Sequence, residues 1–197
     1  MRRLSLAAAA ATCFAVTNLC GAQQEPATFD AAWEQAQGVV DTMRAARAAV
    51  SDLQARLGQE TDQTVRADLE KKLDVELKSV AKIRQDLATK VEGVLKLAAP
   101  TTAIEDLNRV RYLKCYLKYD KGDYVEAAEQ GEFVSMRYPA SEVARPCATI
   151  ALASYLQLYK AKKTDAAKML LLANHIVATW PNHPDAAMAR GALDLLK

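Results

Sequence analysis

Two cysteines and two histidines are the residues of this chain best suited to chemistry. Cys115 and Cys147 carry thiols able to bond, to ligate a metal or to attack an electrophile. His175 and His183 carry imidazoles able to move a proton or bind zinc. Their placement does not build any of these devices. No pair among the four has the spacing of zinc ligands, and no G-x-S-x-G, H-E-x-x-H or glycine-rich phosphate loop occurs. His175 lies on an apolar helix between Asn174 and Ile176, and His183 lies in the turn Trp180-Pro-Asn-His-Pro; both read as packing or capping residues. The carboxylates are many, yet they belong to charge pairs along helices. The sequence therefore predicts no catalytic residue, no metal and no cofactor. For Cys115 and Cys147 two readings stand: one disulfide, if the chain reaches an oxidising compartment, or two small buried residues on Ala-rich helices.

A second constellation suits recognition instead. Arg109, Tyr112, Tyr116 and Tyr119 recur at steps of three, four and three, which places them along one side of a helix. Tyr and Arg are the residues most enriched at binding hot spots. The competing reading is that the tyrosines pack on a neighbouring helix with only their hydroxyls wet. Tyr155 and Tyr159 are weaker companions further on.

The elements that position these residues begin after a leader. Arg2 and Arg3 precede an apolar run over Leu4 to Leu19, and Cys20-Gly-Ala22 supplies small residues before the polar Gln23-Gln-Glu-Pro. That is the layout of a secretory signal peptide, residues 1–22, with cleavage expected after Ala22. An uncleaved anchor and a lipidated Cys20 are the alternatives; Leu19 and Asn18 fit poorly before a lipidated cysteine. Cleavage would remove Cys13 and Cys20 and leave 24 Lys+Arg against 24 Asp+Glu, from 26 and 24 in the whole chain. A neutral chain without a basic stripe is a poor match for a phosphate backbone, so no nucleic-acid partner is expected, nor stable membrane insertion after cleavage. The destination expected is the periplasm or cell envelope.

Seven Gly, six Pro and an excess of Ala, Leu, Lys, Glu and Gln predict an all-α protein. Residues 23–100 read as a helical arm. Asp30 would cap a helix from Ala31, whose seam is Val39, Met43, Ala46, Val50, Leu53 and Leu57. A break at Gly58 to Thr64, with Gly58 as helix stop, precedes a second seam: Leu69, Leu73, Leu77, Val80, Ile83, Leu87, Val91 and Val94. The arm is either an antiparallel hairpin or a coiled coil formed with other chains. Residues 101–197 read as helical hairpins. Thr102-x-x-Glu105 has the form of a capping box, Leu107, Val110, Leu113 and Leu117 form the first stripe, and Ala127, Ala128, Phe133 and Val134 the packing face of the next helix. Pro146 is expected to kink or restart the following helix. A last helix from Pro184 carries Met188, Leu193, Leu195 and Leu196.

The stretch Lys121-Gly-Asp-Tyr-Val-Glu-Ala-Ala, closed by Arg137-Tyr-Pro139, has a looser copy in Thr164-Asp-Ala-Ala and Thr179-Trp-Pro181. It resembles a tetratricopeptide repeat (TPR) through Gly122-Asp123-Tyr124, Ala127 and Pro139. The Tyr-Pro and Trp-Pro endings look like the envelope subgroup of such repeats, which includes the Tol–Pal cell-division coordinator and the TPR lipoprotein of outer-membrane assembly. The chain departs from the family at Arg111, Lys114 and Lys118, where the first helix carries Trp, Leu and Tyr signatures, and at Gly131, where a bulky residue is usual. The resemblance covers about half the chain and implies units at 101–139 and 140–181 with a partial one at 182–197. It also implies a short solenoid whose first helices line a concave face. The function expected is that of an exported, non-enzymatic scaffold binding a protein or peptide partner of the envelope through Arg109, Tyr112, Tyr116 and Tyr119. The alternative is a structural module that homo-oligomerises through its arm.

Overall fold

The computed structural model describes residues 27–162 and 166–195. The leader and its cleavage point lie outside the described residues. Within them the chain is all-α, as expected, with α1 (Phe29–Gln59), α2 (Gln63–Lys96), α3 (Ile104–Lys121), α4 (Tyr124–Arg137), α5 (Ala144–Lys160), α6 (Ala166–Thr179) and α7 (Pro184–Asp194).

The arm is an antiparallel hairpin. Phe29, Ala32, Ala36 and Met43 near the start of α1 share a core with Leu87, Val91 and Val94 near the end of α2. Three sequence expectations change in detail. Thr28, not Asp30, caps α1, its hydroxyl accepting from the Ala31 N–H at 3.3 Å; Asp30 sits in the first turn, where its charge meets the helix dipole. Gly58 is not the helix stop: α1 runs through it to Gln59, and Arg66 donates to the Leu57 and Glu60 carbonyls, both at 3.1 Å, closing the helix end. Asp62 then opens α2 by accepting from the N–H groups of Thr64 and Val65. Leu77 is exposed, while Leu69 and Val80 are buried. Two successive four-residue steps carry Leu77 about 80° round the helix from Leu69, and the three-residue step to Val80 returns to the seam.

Helix α3 packs on the arm with one side and on the later helices with the other. Val110, Leu113 and Leu117 lie in the arm's core, with Leu107 packed against it. The opposite side of α3 meets α4 and α5. The Thr102-x-x-Glu105 capping box does not form. Thr102 Oγ1 instead accepts from the Ala99 N–H at 2.9 Å. The Glu105 carboxylate accepts from Ser141 Oγ at 2.9 Å and the Glu142 N–H at 3.1 Å, which clamps the start of α5 onto α3.

Gly122 ends α3 at φ +83°, the left-handed conformation that glycine adopts without strain. In α4 the buried face is Ala127, Ala128, Gly131, Val134 and Ser135. Phe133, expected on that face, points to the opposite side and is 45% exposed. Helix α5 starts at Ala144, close to the restart expected around Arg145, which makes Pro146 its third residue, where a helix has no use for an N–H. Leu152, Tyr155 and Leu158 of α5, Met169, Leu172 and Ile176 of α6 and Ala189 and Ala192 of α7 make one core. The last helix thus packs through small residues, with Met188 and Leu193 only half-buried and Leu195 exposed; Leu196 lies outside the described residues.

Candidate partner-binding surface

Each residue of the Arg109–Tyr112–Tyr116–Tyr119 series is half-buried and engaged within the chain. Arg109 Nε donates to Glu142 at 2.5 Å and its NH1 to Asp106 at 3.0 Å. The hydrogen bond from Arg109 holds the Glu142 carboxyl below the usual range. Tyr112 packs against Val134, Val143 and Cys147, and burial pushes its phenol upward. Tyr116 turns the other way, onto the arm: it accepts from Arg47, whose guanidinium also lies 5.4 Å from the ring centroid. Tyr119 meets Tyr124 edge to face at 5.6 Å between centroids. The four therefore reach four different neighbours, because α3 is covered by the arm on one side and by α4 and α5 on the other.

The Tyr116 contact belongs to a junction that fixes the arm. The Asp120 carboxylate receives Arg47 of α1 at 2.8 Å and Arg84 of α2 at 2.6 Å, and Lys114 pairs with Glu92 at 2.9 Å. Ala81, Ala88, Val91 and Leu117 floor a groove of about 550 Å³ between α2 and α3. Three of its four lining cations, Arg84, Lys114 and Lys118, pair with Asp120, Glu92, Asp123 and Glu126, and Lys121 is the fourth.

A surface with a different character lies on the outer side of α4. Arg111 is held by Asn108 Oδ1 at 3.1 Å, and its guanidinium lies 5.1 Å from the Phe133 ring and 5.7 Å from the Tyr138 ring. The two rings meet edge to face at 5.9 Å. Glu129, Glu132, Phe133, Met136 and Arg137 line a shallow hollow of about 390 Å³ beside them. Val125, on the same helix, is 51% exposed. An exposed aromatic pinned by a guanidinium loses little side-chain freedom when a partner covers it. Phe133 could have been found from the sequence, because it stands opposite the small-residue face of α4; grouping it with Val134 by hydrophobicity hid it.

Cys115 and Cys147 are both fully buried and both free thiols. They sit on α3 and α5 with Gly131 of α4 beside them: a Cβ there would lie 3.1 Å from Cys115 Sγ and would overlap the Cys147 carbonyl oxygen. Cys115 Sγ also donates to the Ala127 carbonyl at 3.2 Å. The neighbouring Cys115 thiol and burial together push the Cys147 thiol far up. His175 packs edge to face on Trp180, and its Nε2 lies 3.3 Å from the Ser135 carbonyl. His183 accepts from the Asp185 N–H to cap α7, and Arg145 pairs with Asp185 at 2.6 Å. Among the described residues no group of three or more His, Cys, Asp or Glu is placed to hold a metal, and no helix is long and apolar enough to cross a membrane.

No family model, curated protein or solved structure matches this chain.

Proposed function

We propose that this chain is an exported, non-enzymatic, TPR-like scaffold that binds a protein or peptide partner in the cell envelope, with the partner docking on the outer side of α4 around Phe133. The observation that carries the proposal is Phe133 itself, 45% exposed and braced by Arg111 and Tyr138. Large aromatics and arginines that are rigid before binding make the strongest anchors. The helical hairpins support the reading by presenting this helix on a rigid stack, and the leader over residues 1–22 supports export.

The arrangement also moves the proposed contact away from Arg109, Tyr112, Tyr116 and Tyr119. Those side chains are engaged within the chain, so replacing them tests stability first. Phe133→Ala should leave the melting temperature within a few degrees of the wild type while lowering partner affinity on the order of tenfold or more. Tyr116→Ala should do the reverse. Equal partner binding by Phe133→Ala and wild type would overturn the proposed surface.

One observation favours the structural module with an oligomerising arm. Val75 is 63% exposed beside a shallow hollow of about 450 Å³ lined by Ala49, Leu53, Lys71, Lys72, Asp52 and Glu76. Its two bases and two acids suit a second copy of the same surface. Solution mass separates the readings: a monomer at micromolar concentration removes the second, and a dimer that Val75→Glu dissociates establishes it.

A further inference from the structure

Cys115 on α3 and Cys147 on α5 belong to helices separated in sequence by the whole of α4. They approach each other because α4 carries no side chain where it passes between them. Cys115 Sγ and the Cys147 carbonyl oxygen both lie within 3.1 Å of the point a Gly131 Cβ would occupy. Ala127 and Ala128, also fully buried, keep the rest of that crossing narrow. A glycine at this position leaves an open lane between α3 and α5 beside Cys115 Sγ and the Cys147 backbone.

We propose that Cys115 and Cys147 are joined by a disulfide in the oxidised protein, stapling α3 to α5 across Gly131. The bond forms by exchange with a small-molecule disulfide oxidant of the glutathione type. One thiolate attacks the oxidant and releases one of its thiols, giving a mixed disulfide. The second cysteine then displaces the other thiol. In total two protein thiols are oxidised, one oxidant disulfide is reduced to two thiols, and no other co-reactant is needed.

The burial of both groups sets when this occurs. The thiolate is the attacking species, and the folded interior holds the Cys147 thiol well above its ordinary range. Exchange is therefore slow in the closed, reduced fold and fast while the chain is folding or locally open. Once made, the bond is buried and protected from small thiols for the same reason. The two cysteines expected to leave with the leader, Cys13 and Cys20, are the only others in the sequence, so they are the competitors for pairing.

The test is to refold the full chain from denaturant in a mixture of oxidised and reduced glutathione, then map its peptides without reductant. The expected result is a Cys115–Cys147 peptide, loss of about 2 Da from that pair, and a melting temperature raised by ~5 °C or more that reductant reverses. In Cys147→Ala the difference between oxidising and reducing conditions should vanish, and the wild-type comparison stands whether or not that variant folds well. Linkage of either residue to Cys13 or Cys20 would overturn the proposal. So would full alkylation of Cys115 and Cys147 after unfolding the oxidised sample, or a bond that lowers the melting temperature.

Discussion

Replacing Gly131 by Ala sets two effects of similar size against each other, and the structure decides the sign. Gly131 lies inside α4, where alanine is favoured over glycine by about 0.5–1 kcal/mol. The added Cβ, however, would stand under 3.0 Å from the Cys147 carbonyl oxygen, 3.0 Å from the Ala151 Cβ and 3.1 Å from Cys115 Sγ. The first neighbour is backbone of α5 and cannot rotate away; overpacking of this kind costs about 1–3 kcal/mol. The net expectation is a loss of roughly 1–2 kcal/mol, or about 2–8 °C in melting temperature for a chain of this size. Gly38→Ala is the internal control, since a Cβ there meets nothing within 4 Å. It keeps the propensity term without the collision and should gain about 0.5–1 kcal/mol. Urea unfolding of both variants beside the wild type measures the difference. If Gly131→Ala is as stable as Gly38→Ala, helices α3, α4 and α5 do not meet this closely, and the lane proposed for the thiols is lost with them.

Asp120→Asn weakens both arginine contacts that fix the arm to α3, and should cost on the order of 1–2 kcal/mol by thermal or urea unfolding; no measurable loss would mean the junction is solvent-screened. Leu152→Ala removes a fully buried side chain of the α5–α7 core and should cost about 2–5 kcal/mol, whereas Val75→Ala on the exposed arm should change stability by less than about 1 kcal/mol. Burial and a hydrogen bond to Glu132 push the Tyr155 phenol above the ordinary phenol value of 10.0. A raised folded pKa means that the stabilisation is complete below about pH 10 and is lost as pH climbs from there through the folded value. Stability measured from about pH 9 to about pH 11 should therefore fall, and fall less steeply in Tyr155→Phe.

Periodicity made the helices and most of the core legible. Val80, Leu87, Val91 and Val94 are on the predicted seam of α2 and are buried, and Val110, Leu113 and Leu117 are on the predicted stripe of α3 and are buried. Local signals mislead where a tertiary partner claims the same group. Glu105 has the spacing of a capping box, but the loop before α5 takes its carboxylate. Glu92, four residues before Lys96, pairs with Lys114 of the next helix instead. Tyr112, Tyr116 and Tyr119 fall on one side by spacing alone, yet that spacing says nothing of what covers the side. Only the docking of the arm on α3 shows that Tyr116 belongs to a junction. Phe133 is the opposite case: an aromatic beside Val134 reads as core until the small residues Ala127, Ala128 and Gly131 are seen to define the buried face. The aromatic left exposed at this part of the fold is thus Phe133 of α4, while the three tyrosines of α3 are half-buried.

Under the proposed function the outer side of α4 meets a protein partner. The most direct test places a photo-crosslinking phenylalanine analogue at position 133 in the full chain, expressed in its own cell, with the same analogue at position 75 for comparison. A partner on α4 predicts a discrete protein adduct from position 133, lost on Arg111→Ala, and no such adduct from position 75. An adduct from position 75 alone, with a mass matching a second copy of this chain and none from position 133, would contradict it.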